Sequence, residues 1–215
     1  MSAVVDNPFF ARLWTTMSSR EPKALRRLRR QNLAGLTGRV LEVGAGTGTN
    51  FEFYPDTVTE VVAVEPERRL AALAEQAAAT APVPVTVTGK TVEEFAAAGR
   101  LDGGQFDAVV CSLVLCSVDD PEQVLGQLYS LLRPGGELRY LEHVAGTGGR
   151  ARLQKFVDAT FGPRLLGNCH AHRHTESTIT AAGLQVIGAH REFVVPAWVP
   201  MPTAEIAIGV AVRPG

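Results

Sequence analysis

Cysteine is scarce in this sequence: Cys111, Cys116 and Cys169 are the only three in 215 residues. Their number and uneven spacing exclude a disulfide scaffold and a CxxC zinc knuckle. Nothing at the N-terminus reads as a secretory signal, so a reducing, cytoplasmic setting is expected. Long hydrophobic runs are lacking too; none reaches the roughly 18 consecutive apolar residues that a spanning helix needs, so no transmembrane segment is expected. Net charge is nearly absent, since 21 basic and 22 acidic side chains leave −1. That balance gives no global attraction to nucleic acid or to an anionic membrane. Apolar material is plentiful, at 46% against 20% charged. A disordered tail or a fibrous repeat is thereby excluded, and the length suits a single domain over 1–215.

Charge is uneven locally, because residues 1–40 carry +6 and the remainder −7. Phe9, Phe10, Leu13, Trp14 and Met17 recur at helical spacing, followed by Pro22 and a basic run through Arg30. The pattern predicts an N-terminal helical lid over residues 1–36, packed on the domain with solvated arginines beside it. A peripheral contact with anionic lipid is the alternative, since a basic amphipathic helix can lie in a membrane interface.

Further along, short β-branched runs alternate with Ala/Leu-rich helical stretches, the βαβ pattern of a parallel sheet. Strands are predicted at 39–43, 60–65, 83–88, 107–112 and 137–144, with helices over 67–80 and from Pro121 to Leu132. Arg133-Pro-Gly-Gly136 is expected to stop that second helix. A helix carrying Phe156 and Phe161 and another over 178–182 precede two last strands, near 184–195 and 204–212. Too little chain joins these two for a crossover helix, so they are expected to pair antiparallel.

The first strand runs into Leu41-Glu-Val-Gly44-Ala-Gly46-Thr-Gly48-Thr-Asn50. Glycines at the end of a parallel strand let backbone approach a ligand, and a following helical turn offers free N–H groups. A dinucleotide fingerprint would need glycine where Thr49 stands, so a pyrophosphate reader is disfavoured. Gly89-Lys90-Thr91 has the tail of a phosphate-binding loop but lacks its first glycine, Pro84 standing there. The E-x-G-x-G-x-G run and Glu65 at the end of the second strand resemble the S-adenosylmethionine site of class I methyltransferases.

The likeness extends to Val110–Val118, Leu132–Val144 and Asn168–Gly183. In these the chain resembles the methyltransferase-like family whose membrane-anchored animal members methylate alkyl thiols. The resemblance implies a Rossmann-like sheet of seven strands, mostly parallel with an antiparallel final strand and helices on both faces. It implies S-adenosylmethionine as cofactor, held by Glu42, Gly44, Ala45, Gly46, Thr47, Gly48, Asn50, Glu65, Pro66, Thr91, Val92, Ser112 and Leu113. Glu65 would accept hydrogen bonds from the ribose hydroxyls. A small, fairly apolar acceptor is implied, best taken as a thiol, with O- or N-methylation of a small metabolite or phospholipid and a non-catalytic cofactor-binding module as the rival readings.

His143, at the end of the fifth strand, is the first candidate for deprotonating or orienting the acceptor, because ligands of open α/β sheets bind at that edge. His170 is the second, prompted by the resemblance. Phe9, Trp14 and Leu113 are expected beside them in the acceptor pocket. Cys169-His-Ala-His-Arg-His174 offers metal-ligand chemistry, but its spacing fits neither a C-x-x-C pair nor an H-E-x-x-H helix, and no metal is expected. Cys111 and Cys116 are read as small core hydrophobes.

Overall fold

The computed structural model describes residues 6–98, 104–196 and 198–215. Two helices come first, α1 (Pro8–Ser19) and α2 (Lys23–Leu33). The side chain of Asn7 caps α1 by accepting the Phe10 N–H at 3.0 Å, and Pro8 occupies the first turn, where its missing N–H costs nothing. There follow β1 (Gly38–Val43), β2 (Val58–Val64), α3 (Arg68–Ala78), β3 (Val85–Thr88), α4 (Val92–Ala97) and β4 (Phe106–Ser112). The remaining elements are α5 (Pro121–Leu131), β5 (Leu132–His143), α6 (Gly148–Ala159), α7 (Gly162–Leu165), α8 (Thr175–Ala181), β6 (Gln185–Phe193) and β7 (Glu205–Val212).

The strands form one seven-stranded sheet in the order β3-β2-β1-β4-β5-β7-β6. β1 to β5 pair in parallel, and β7 lies antiparallel between β5 and β6. The fold is thus the mostly parallel sheet that the alternating pattern predicts, in the Rossmann-like form of seven strands that the resemblance implies. Alternate residues of β1 enter opposite layers of core. Leu41 and Val43 pack with Phe95, Leu125 and Ile179 from α4, α5 and α8, while Val40 packs with Phe51, Tyr54 and Ala74 on the other side. Burial on both faces explains why these strands read as continuous apolar runs rather than as alternation. Chain order reverses between β1 and β4, so the connections after these two neighbours leave in opposite directions. Such a switch point opens a crevice at the strands' carboxyl ends.

Three expectations change. α4 is absent from the sequence reading; its six residues are too few for periodicity, but its capping box is present, with Thr91 Oγ1 accepting from Glu94 N at 3.2 Å and Glu94 Oε2 from Thr91 N at 3.1 Å. Arg133-Pro-Gly-Gly136 does more than end α5. It belongs to β5, because Gly135 N donates to Arg213 O and Arg213 N to Gly136 O, each at 2.9 Å, zipping the turn to the end of β7. The two N-terminal helices also differ in their packing. α2 is built into the body, with Leu28 and Leu33 in the core and Leu25 at the crevice, while α1 lies over the crevice.

Candidate active site

The crevice is a cavity of about 790 Å³, within the range usual for small-molecule sites. Of the residues predicted to hold a ligand, Gly44, Gly46, Glu65, Pro66, Thr91, Val92, Ser112, Leu113 and His143 line it. Phe10, Leu13, Trp14 and Met17 of α1 form its roof. Phe9, expected with them, turns outward and is 59% exposed, because on a helix it stands a third of a turn from Phe10. Gly46 shows why the loop needs glycine. Its φ is +58°, and a Cβ there would stand 2.7 Å from Trp14 Nε1, so the indole rests directly on this backbone. Thr47 turns toward α1 instead of the cavity, its hydroxyl 3.2 Å from that of Ser18, and Gly48 packs between Ala77 and Phe51. Ala45 is buried in the core layer with Phe51 and Tyr54.

Glu65 is positioned by the backbone around it. Its Oε2 accepts from Gly46 N at 2.7 Å and its Oε1 from Glu67 N at 3.0 Å. Burial raises its pKa to about 7 against these two hydrogen bonds. A carboxylate has about four lone-pair sites, so two remain for a ligand.

Glu42 and Asn50 lie beneath the cavity rather than in its wall. Asn50 donates to Glu42 at 3.0 Å and to Ser112 Oγ at 3.1 Å, and Tyr54 donates to Glu42 at 2.6 Å. Burial lifts the Glu42 pKa to about 7, opposed by the bonds from Tyr54 and Asn50. The network ends on Arg29, which donates to Asn50 at 2.9 Å and to Glu21 at 2.8 Å, all of it buried. The sequence reading missed Arg29 and Glu21, having assigned the basic run to solvent. The rest of that run is largely solvated, with Arg27 and Arg30 exposed and Arg26 43% exposed at its side chain. Arg26 pairs with Glu52 at 2.8 Å, Arg27 pairs with Glu192, and Arg26 and Arg30 lie over the Phe53 ring at 5.1 and 5.2 Å.

The β4–β5 side of the cavity has a different character. Leu113 has φ +61°, a strained conformation for a side chain with a Cβ, and its N–H donates to Leu141 O at 2.7 Å. The turn that follows is wrapped around Glu142, whose carboxylate accepts from the backbone N–H groups of Val114, Leu115 and Cys116 at 3.0, 2.9 and 3.2 Å. Those donors occupy Glu142 as a scaffold. His143 points its Nδ1 at two sulfurs, 3.6 Å from Cys116 and 3.4 Å from Cys169. His143 titrates above its ordinary range: burial opposes its charge, and the contact with Cys116 and the Glu142 carboxylate outweigh it. His170 does not reach the cavity wall. Its Nδ1 lies 2.7 Å from Asn168 O and 3.3 Å from Arg173, in the segment that backs the site.

Comparison with known proteins decides the class. The methyltransferase domain family matches residues 17–195. The chain belongs to that family. It is a class I, S-adenosylmethionine-dependent methyltransferase. It is 33% identical over 213 residues to the thiol S-methyltransferase TMT1B of Mus musculus, covering 94% of this chain and 82% of the relative. It is 35% identical over 156 residues to a ubiquinone biosynthesis O-methyltransferase of Xanthomonas axonopodis pv. citri, covering 72% of this chain and 63% of the relative. In fold it is similar to the N-methyltransferase NodS of Bradyrhizobium japonicum in complex with S-adenosylhomocysteine, with a TM-score of 0.64 at 16% identity, covering 97% and 89% of the two chains.

The cavity of this methyltransferase fits the cofactor's groups. Glu65 retains acceptor sites suited to two ribose hydroxyls. Glu21 lines the cavity with Oε2 buried and without a hydrogen-bond partner among the described residues, an orphaned acceptor suited to the cofactor's ammonium group. Gly44 and Gly46 bare their backbone for close approach. Among the described residues, no helix is long and apolar enough to cross a membrane.

Proposed function

We propose that this methyltransferase transfers the methyl group to the sulfur of a small, fairly apolar thiol. The observation that carries the reading is the orientation of His143. Its imidazole faces two sulfurs and, among the described residues, no carboxylate hydrogen-bonds to it, while the adjacent Glu142 is spent on three backbone N–H groups. A phenol or alcohol needs a well-oriented general base, which contributes about 10²–10⁴-fold. A thiol of pKa about 8.5 is already a few per cent ionised near neutrality and needs less help. Leu113, Val114, Leu166 and Ile206 line the cavity and suit an apolar acceptor. The likeness to the thiol S-methyltransferase TMT1B supports the same acceptor atom.

Bound in the cavity, S-adenosylmethionine supplies a methyl group already activated on a sulfonium. The chain contributes alignment and dryness. Glu65 and Glu21 anchor the ribose and the ammonium, Gly44 and Gly46 present backbone, and α1 closes over them as the lid, seated by Trp14 on Gly46. The three cysteines are free thiols, which fits work in a reducing cytoplasm.

A panel of alkyl and aryl thiols, phenols and amines, offered with labelled cofactor, tests the proposal. Methylated thiols are the expected products. Transfer to phenols or amines and to no thiol would favour the O- or N-methyltransferase reading instead; cofactor binding without turnover on the whole panel would favour a non-catalytic module.

A further inference from the structure

Three soft ligands from three separate segments meet on the β4–β5 side of the cavity. Cys116 comes from the turn after β4, His143 from the end of β5, and Cys169 from the loop between α7 and α8. Cys169 Sγ lies 3.5 Å from Cys116 Sγ and 3.4 Å from His143 Nδ1, and Cys116 Sγ lies 3.6 Å from the same nitrogen. These separations are those of one face of a metal tetrahedron. Zinc–sulfur bonds of about 2.3 Å and a zinc–nitrogen bond of about 2.0 Å set sulfur from sulfur at about 3.8 Å and sulfur from nitrogen at about 3.5 Å.

The backbone around the three ligands is fixed. His170 N donates to Cys116 O at 2.8 Å, and Asn168 Nδ2 donates to Ser117 O at 2.8 Å. Arg173 donates to Leu115 O at 2.9 Å and to Val118 O at 2.7 Å, and Glu142 holds the same turn from beneath. The Asn168–Arg173 segment, where the sequence suggested a run of ligands, thus gives one ligand and several staples. All three ligands line the cavity, and among the described residues no fourth His, Cys, Asp or Glu completes the group. Structural zinc sites close with four protein ligands, whereas three ligands and an open position mark sites that take a substrate.

We propose that Cys116, His143 and Cys169 form a zinc site whose fourth position faces the cavity and takes the acceptor's sulfur. The proposal rests on the S-methylation reading and gives it a means of ionising the thiol. Two thiolates and a neutral imidazole suit zinc and balance its charge. Both cysteines, and His143 where it carries a second proton, lose their protons to solvent when the metal binds, which leaves Nδ1 free to ligate. The acceptor R–SH loses its proton to solvent as its sulfur takes the open position. That thiolate sulfur then forms a bond to the cofactor's methyl carbon while the carbon–sulfonium bond breaks and its electron pair stays on the departing sulfur. The thioether product is neutral and a weaker ligand, so it leaves.

Reduced, chelator-treated protein is loaded with Zn²⁺, dialysed and assayed for metal; a second sample is loaded with Co²⁺ for absorption spectroscopy. About one zinc per chain is expected, retained in Cys111→Ser and lost in Cys116→Ser and Cys169→Ser. The unmutated cobalt protein should show thiolate-to-cobalt charge-transfer absorption that shifts when a small alkyl thiol is added. Retention of less than a tenth of an equivalent by the unmutated protein, or a Cys116–Cys169 disulfide forming in place of metal uptake, overturns the site. Thiol methylation by that metal-free protein leaves the S-methylation reading standing alone. Zinc bound at the cluster, with turnover of phenols only and a cobalt spectrum blind to thiols, overturns the role assigned to the metal and the thiol reading with it.

Discussion

Glu65 is where the sheet and the cofactor meet, and its proton count makes the contact measurable. The carboxyl is 6% exposed, and burial holds its pKa near 7 against the hydrogen bonds from Glu67 and Gly46. At pH 7 about half of the unbound molecules therefore carry a proton there. Ribose hydroxyls donate to the ionised carboxylate, so binding favours that form and expels the proton. About 0.9 proton should leave per S-adenosylhomocysteine bound at pH 6, about 0.5 at pH 7 and about 0.1 at pH 8, with affinity rising about tenfold from pH 6 to pH 8. Glu65→Gln keeps the size, abolishes the titration and sets an amide N–H₂ against a backbone N–H. Each hydrogen bond lost from a charged acceptor costs about 1.5–3 kcal/mol, or about 10- to 150-fold in affinity. Calorimetric titration with S-adenosylhomocysteine in two buffers of different ionisation enthalpy reads both quantities. Glu42 also has a pKa near 7, but it lies beneath the cavity on Tyr54 and Asn50, and the comparison with Glu65→Gln separates the two. A parent protein that releases no proton between pH 6 and pH 8, or a variant that binds like the parent, would refute the placing of the ribose on Glu65.

Other parts of the site give independent tests. Gly46→Ala puts a Cβ at φ +58° and 2.7 Å from Trp14 Nε1; the backbone strain alone is about 1–2 kcal/mol, so cofactor affinity should fall about tenfold, while Gly126→Ala, with open space around it, should bind like the parent. Deletion of residues 1–20 removes a helix whose one buried residue is Ala11, so the acceptor KM should rise and turnover should fall severalfold with the melting temperature little changed; an unfolded product would make α1 part of the core. Arg29→Ala leaves Glu21 buried and unpaired at the cavity wall, and the urea midpoint should drop by the equivalent of about 3–5 kcal/mol; an unchanged midpoint would show the network carries no stability.

The sheet was legible because its strands are buried on both faces and its helices on one, so Val40–Val43 and Leu125–Leu128 announce themselves in composition and spacing. The glycine loop was legible because the positive φ at Gly44 and Gly46 restricts which residues fit there. Side-chain direction was not. Glu42 and Asn50 stand inside the motif, yet they turn under the loop to meet Arg29, a residue whose burial depends on Glu21 and on the crossing of α2 and cannot be read from a basic run. The Cys116, His143 and Cys169 cluster hides for a topological reason. Its members are 27 and 26 residues apart, far outside any ligand motif that a local pattern can show. They meet because β5 lies beside β4, so the turn after β4 and the end of β5 share one edge, and because Asn168 and Arg173 then pin the Cys169 loop to that turn. A histidine that reads as a lone base in the sequence becomes, through that adjacency, one corner of a three-ligand face.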